Sequence, residues 1–202
     1  EELGCEYQVV KYQRDPQTLL APPELKGIHP LGKSPVVRDG AHTLAESGAI
    51  IEYLIDRYGN GRLRPPPGSA ERLRYTYWLH YAEGSAMPPL LLKLVFLRLP
   101  RGVPALVRPV VGAVARRVHE RLIDPQLRTH LDYWEGELGR STWFAGEELT
   151  AADVQMSFPL EAAAARAGTA LGPRVGQFLE RIHARPAYRR ALAAGGEFQL
   201  AR

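Results

Sequence analysis

Between Gly59 and Ser69 the chain reads GNGRLRPPPGS, and this stretch limits the possible folds more than any other. Proline fixes φ and has no N–H to donate, and glycine resists ordering, so neither a helix nor a central strand passes through. The 202 residues therefore divide into a short front and a long back. The front mixes short β-rich runs with turn chemistry. Tyr7 to Tyr12 alternates in strand fashion, Pro35 to Arg38 is a second short run, Asp39-Gly40 suits a tight turn, and a helix opens on Glu46-Ser47. The back has helical periodicity and no convincing strand. The reading is an α/β domain over residues 1–60, a linker over 61–69, and an all-helical domain over 70–202.

Helix signals in the back are specific. Ser69 is placed to cap a helix with Leu73, Tyr77 and Tyr81 on one stripe and Trp78 and Ala82 on its neighbour. Pro88-Pro89 should interrupt that helix, and Pro104, Pro109 and Pro125 punctuate the arginine-rich stretch that follows. Leu127, Leu131, Trp134 and Leu138 recur at helical spacing. At Leu149-Thr150-Ala151-Ala152-Asp153-Val154 the pattern is a capping box. The Thr150 hydroxyl is expected to accept from the Asp153 N–H while the Asp153 carboxylate reaches back to the Thr150 amide, with Leu149 and Val154 as the hydrophobic staple. Taken alone, this motif is structural. The last helices run through Phe178, Leu179 and Ile182, and Pro186 starts another.

Composition excludes several classes. Apolar residues make up 45% and charged residues 24%, which is globular. No apolar run nears the roughly 20 residues of a membrane span, and no basic-then-apolar leader is present, so the expectation is a cytoplasmic protein with no membrane partner. The net charge of +4 is spread among interspersed acids, which reads as solvated helix faces with no nucleic-acid partner. Cys5 stands alone, so neither an internal disulfide nor a multi-cysteine metal site is available, and no metal is expected.

Three short segments of the front carry binding chemistry. Ser47, in the first turn of a helix, offers a hydroxyl and backbone amides to a carboxylate, and Glu46 offers an anion to an ammonium group. Capping of an amphipathic helix explains the same pair, with Ile50, Ile51, Leu54, Ile55 and Tyr58 as the buried stripe. Ser34 is held extended by Pro35, which leaves its backbone N–H and C=O free to pair with a ligand as an added strand. X-Pro bonds are mostly trans, so trans is the expectation from local physics. Lys33 is a cation for a second carboxylate, or else a solvated loop lysine.

Three strings together resemble the cytosolic glutathione S-transferase family: Pro30-Leu31-Gly32-Lys33-Ser34-Pro35-Val36, Leu44-Ala45-Glu46-Ser47-Gly48-Ala49-Ile50, and Phe144-Ala145-Gly146 leading into Leu149-Thr150-Ala151-Ala152-Asp153. The resemblance covers nearly the whole chain. Ala21-Pro22-Pro23-Glu24-Leu25-Lys26 and Tyr77-Trp78-Leu79-His80-Tyr81-Ala82-Glu83-Gly84 are similar to a bacterial and fungal subgroup. It implies an α/β thioredoxin-like domain followed by an all-α bundle, and a function in conjugating the thiolate of glutathione, the co-substrate, to an electrophilic small molecule. Related possibilities are a non-catalytic binding module and a glutathione-dependent isomerase or dehalogenase.

The resemblance also implies residue roles. Pro35 would be a cis-proline, Ser34 would align the cysteinyl unit, Glu46 and Ser47 would clamp the γ-glutamyl head, and Lys33 would meet the glycine carboxylate. Tyr77, His80 and Tyr81 would line the second-substrate pocket, with core aromatics as the competing explanation. Thr150 and Asp153 would be a buried structural cap, and a homodimer is implied. The thiol-activating Ser, Tyr or Cys of such proteins lies at the junction of a first strand and helix. Here Glu1-Glu2-Leu3-Gly4 reads as the last turn of that helix, with Gly4 as its left-handed terminator. The expectation is therefore that roughly 20 residues, a strand plus a helix, precede Glu1, that the catalytic residue is not assignable in this chain, and that Cys5 does not fill the role. An in-frame stop codon just upstream of Glu1 would contradict this.

Overall fold

Gly4 has a φ of 71° in the computed structural model, and its N–H donates to the Glu1 carbonyl at 3.1 Å, which closes a terminal turn. The structure describes residues 1–13, 15, 20–166 and 171–196, so the outermost part of the expected bundle, 197–202, lies outside the described residues. Residues 7–12 are exposed and form no strand, which corrects the expectation for Tyr7 to Tyr12. Alternation shapes a strand, yet a strand exists only through a hydrogen-bonded neighbour, and none of the described residues supplies one here.

The two strands found among the described residues are β1 (Val36–Asp39) and β2 (His42–Ala45), an antiparallel hairpin after the short helix α1 (Pro23–Ile28). Gly40 in the turn has a φ of 56°, the left-handed conformation such turns require. The hairpin leads into α2 (Ser47–Tyr58), which buries Ile50 and Ile55. The far end of α2 is tied back to the hairpin turn, because Asp39 accepts from the hydroxyls of Tyr53, at 2.9 Å, and of Tyr58. Those hydroxyls, Tyr58 foremost, hold the Asp39 carboxyl below its usual range.

Beyond the Gly/Pro segment the elements are helical: α3 (Ala70–Tyr81), α4 (Met87–Arg98), α5 (Arg108–Val118), α6 (Asp124–Glu137), α7 (Ala151–Arg166), α8 (Pro173–Ala184) and α9 (Pro186–Gly195). Ser69 caps α3 by accepting the Arg72 N–H at 3.1 Å. The buried face of α3 takes in Tyr81 of the first expected stripe and both residues of its neighbour, Trp78 and Ala82, but leaves Leu73 and Tyr77 outside. Tyr75, Trp78, Leu79 and Ala82 are buried, whereas Leu73 is 75% and Tyr77 47% exposed. Residues at i, i+3, i+4 and i+7 share a face, and packing against α7 selected the set beginning at 75 rather than at 73. The helix axis continues through a π-turn at Ala82–Ala86 into α4, so Pro88 and Pro89 fall in the first turn of a new helix, where a missing N–H costs little.

The core lies inside the bundle. Trp78, Phe144 and Phe178 form a continuous aromatic seam, with centroids 4.4 Å and 5.1 Å apart, and Met156, Leu160, Leu127 and Trp134 close around it. The start of α7 is anchored by Asp153, which is fully buried. One carboxylate oxygen accepts the Phe144 N–H at 2.8 Å, and the other accepts the Thr150 N–H and the Thr150 hydroxyl, each at 2.8 Å. Thr150 therefore donates through its side chain, whereas the expected box had that oxygen accepting from the Asp153 N–H. Three donors around one buried acid make the carboxylate the better partner. Of the expected staple, Leu149 packs partly buried against the core, while Val154 is 39% exposed.

The front is locked to the bundle at its base. Tyr75 of α3 donates its hydroxyl to Glu52 of α2, and the Ala151 N–H donates to the Leu63 carbonyl at 2.8 Å. At the other end Arg185 holds Glu2 through two hydrogen bonds of 2.5 and 2.9 Å. No helix among the described residues is long and apolar enough to cross a membrane.

Candidate functional site

Hairpin register assembles the site. Val36 pairs with Ala45, so Ser34-Pro35, which precede β1, and Glu46-Ser47, which follow β2, leave the hairpin at the same open end. Two segments separated in sequence are thereby brought together where β1 begins and α2 starts. The Ser34-Pro35 peptide bond is cis, as the resemblance implied and contrary to the trans expectation from local physics.

Glu46 precedes α2 with a φ of 71°, a left-handed conformation uncommon for any residue but glycine. Its carbonyl accepts the Ile50 N–H at 2.9 Å, while its exposed side chain makes no capping hydrogen bond. The strained backbone thus does not serve a cap, and the carboxylate is free for another partner. The first-turn amides of α2 have no intrahelical acceptors, and the Ser47 hydroxyl has no hydrogen-bond partner among the described residues. A helix N-terminus with unused donors, an adjacent hydroxyl and an adjacent carboxylate is suited to an α-amino acid head group.

Glu83, which the sequence reading did not single out, belongs to this corner. It lies in the π-turn after α3, a geometry that recurs at functional sites. Gln155 Nε2 donates to it at 3.1 Å, and burial, followed by repulsion from Glu46, raises its carboxyl above the usual range. The signals for it were its place in the Tyr77–Gly84 string and just before Gly84-Ser85 and Pro88-Pro89, where a helix is hard to continue.

Lys33 and Ser34 line an open groove of about 2090 Å³ whose other walls include Val37, Ile51, Val154, Arg185 and Tyr188. Its walls come from the front, α7, α8 and α9. Tyr77, His80 and Tyr81 do not line it. Tyr81 turns inward and is 9% exposed, and its hydroxyl meets His130 Nδ1 and accepts from Trp134 Nε1 at 3.2 Å. Burial pushes the Tyr81 phenol up to about 12. Tyr77 and His80 are exposed on the outer side of α3. Cys5 lines the groove as a free thiol. Among the described residues no group of three or more His, Cys, Asp or Glu could hold a metal ion.

A hairpin with a cis-proline at its open end, facing a helix N-terminus and packed on an all-helical bundle, defines a thioredoxin-like domain followed by a helical domain. Residues 1–56 match the family model for the glutathione S-transferase N-terminal domain, and residues 122–186 match that for the C-terminal domain. Glutathione S-transferase 1 of Saccharomyces cerevisiae is 31% identical over 212 residues, covering 98% of this chain and 90% of the relative. Glutathione S-transferase 3 of Schizosaccharomyces pombe is 35% identical over 163 residues, covering 81% of this chain and 66% of the relative. A solved glutathione S-transferase from Actinobacillus pleuropneumoniae superimposes with a TM-score of 0.76 at 32% identity, over 100% of this chain and 87% of that one. A sphingomonad glutathione S-transferase complexed with glutathione shares the fold, with a TM-score of 0.68 at 24% identity over 97% of this chain and 90% of its own. The chain belongs to the glutathione S-transferase family. Glutathione transferase is the function class that these relatives carry.

Proposed function

We propose that this protein binds glutathione at the open end of the hairpin and conjugates its thiolate to an electrophilic small molecule. The observation that carries this reading is the convergence of Ser34-Pro35 with Glu46-Ser47, together with the unused donors of the first turn of α2. The γ-glutamyl carboxylate takes the Ser47 hydroxyl and the α2 amides, and its ammonium takes Glu46. The cysteinyl backbone pairs with the N–H and C=O of Ser34, and Lys33 meets the glycine carboxylate. These contacts hold the sulfur still while it reacts. In the reaction the thiol proton passes to solvent, the thiolate pair forms a C–S bond, and the leaving group departs with its own pair.

The division into residues 1–60, 61–69 and 70–202 is part of this reading, as is the structural role of Thr150 and Asp153. Tyr77 and His80 remain the second-substrate candidates on α3, with Tyr81 supporting them from the core side. A homodimer, implied by the family resemblance, belongs to this reading as well. A cytoplasmic location completes the reading.

The test is retention on immobilised glutathione with elution by free glutathione, followed by turnover of a generic aryl halide. Retention with turnover is the expected result. Failure to be retained rejects the site, and retention without turnover by the full-length protein favours a binding module or a relative of narrow specificity. A second expectation concerns Glu83. Its charge aids an ammonium ligand, and its carboxyl titrates above the ordinary range of about 4.3. Glutathione affinity should therefore fall as pH drops through that raised value, and Glu83→Gln should flatten this arm of the profile. Calorimetric titration across the acid range would measure it, and an identical profile in both proteins would remove Glu83 from the site.

A further inference from the structure

From Gly84 to His119 the chain has no Asp or Glu, yet it carries Lys93 and five arginines. Lys93 is buried and pairs with Asp124 at 2.5 Å. Arg98, Arg101, Arg108, Arg116 and Arg117 have no ion pair among the described residues, and all but Arg98 are exposed, so their charge faces solvent.

The same segment turns apolar side chains outward. Val107, Val110 and Val114 recur at i, i+3 and i+7 along α5, so they share one face, and all three are exposed. Arg117 continues that row. In the turn between α4 and α5, Leu99 is exposed and Leu106 is 91% exposed, the highest value for a large apolar side chain among the described residues. Ala115 is the buried residue of α5, which packs chiefly against α4 and the turns at its own two ends. The helix and the turn before it therefore form an outer tip of the bundle, apolar and basic together. Scattered apolar residues on a surface need no explanation, but a continuous row of them marks a place of interaction.

We propose that the α4–α5 tip docks on an anionic lipid surface, with Leu99, Leu106, Val107 and Val110 entering the boundary between acyl chains and headgroups while Arg108 and Arg117 meet acidic headgroups. Arginine suits that boundary, because its stem lies along apolar surface while its guanidinium reaches phosphate oxygens. Charge decides the occupant. A second copy applied by a two-fold axis would bring arginines toward arginines, with no acid in the segment to come between them. A nucleic acid would pair the arginines but leave Leu106 and Val110 in water. An anionic bilayer supplies both an apolar layer and a negative surface. Docking of this kind needs no spanning segment, so the lack of a long apolar run, the basis for expecting no membrane partner, does not bear on it. Glutathione recognition uses none of these residues, and the two kinds of binding can be tested apart.

The experiment is co-sedimentation of the full chain with vesicles of phosphatidylcholine, with and without one part in four of phosphatidylglycerol. The mixed vesicles should bind at least about tenfold more tightly, and salt at about 0.5 M should remove most of that difference by screening. Arg108→Gln/Arg117→Gln should weaken binding to the mixed vesicles by roughly thirtyfold, the effect of two arginines at such a surface. Leu106→Asp/Val110→Asp should abolish it, with thermal midpoints unchanged because all four positions are exposed. The three native tryptophans are buried, so added emission from Leu106→Trp reports on the tip and should shift to the blue on mixed vesicles. Equal binding to both vesicles, no binding to either, unchanged binding in either double variant or an unshifted emission in Leu106→Trp would each overturn the proposal. A dimer that Leu106→Asp/Val110→Asp dissociates, with no vesicle binding by the parent, would overturn it in favour of a second copy.

Discussion

Replacing Asp153 with Asn should lower the unfolding free energy by about 3 kcal/mol, read as a shift of the urea midpoint at unchanged slope. The side chain is fully buried and accepts three hydrogen bonds, from the Phe144 N–H, the Thr150 N–H and the Thr150 hydroxyl. Asparagine keeps the volume but turns one acceptor into an NH2 group that faces donors. The damage would reach further than α7, because Phe144 sits between Trp78 and Phe178 in the aromatic seam. The penalty should also depend on pH. Burial pushes the Asp153 carboxyl up to about 6, against the pull of its three donors. Folded above its unfolded value of about 3.9, the group contributes most below that value, and the contribution is lost as pH rises through 6. The cost of the substitution should thus be larger at pH 5 than at pH 7. A cost below about 1 kcal/mol would show that the box does not anchor the helix.

Glu46→Ala should weaken glutathione binding by roughly tenfold to a hundredfold, the range for removing one charged hydrogen-bond partner. The same variant should keep its thermal stability. Glu46 makes no capping hydrogen bond and its side chain is exposed, so nothing in the fold depends on the carboxylate. Stability is the discriminating measurement here, because loss of a true helix cap costs about 1 kcal/mol. A destabilised variant with unchanged glutathione affinity would restore the capping explanation. Ser47→Ala should weaken binding several-fold by the loss of one neutral hydrogen bond, again with little effect on folding.

Local chemistry was legible wherever a backbone rule has one solution. The Asp39-Gly40 turn, the Ser69 cap, the Gly4 terminator and the helix starting at Thr150 all follow from a few neighbouring residues. The hydrophobic run from Ile50 to Tyr58 likewise announced α2. Errors arose where the outcome depended on a partner distant in sequence. Tyr7 to Tyr12 alternates well enough for a strand and has no strand beside it. On α3, the stripe of Leu73, Tyr77 and Tyr81 fitted a helix well, and only packing between helices decided that Tyr81 is buried while Leu73 and Tyr77 are not. The Thr150 hydroxyl donates to the Asp153 carboxylate, a buried acceptor that the distant Phe144 amide also holds.

The binding segments show the same division. Residue types at Lys33, Ser34, Glu46 and Ser47 suggested a ligand with two carboxylates and an ammonium, but each residue alone had an equally good structural explanation. Glu83 stood inside the Tyr77–Gly84 string without a role, since its relevance comes from where a π-turn places it relative to Glu46. By itself, the sequence determined the turns, caps and helix positions, because those obey sterics and hydrogen bonding over four or five residues. The tertiary structure alone decided which faces are buried, which acids share a corner and which polar atoms lack partners, because those depend on packing between elements that no local pattern encodes.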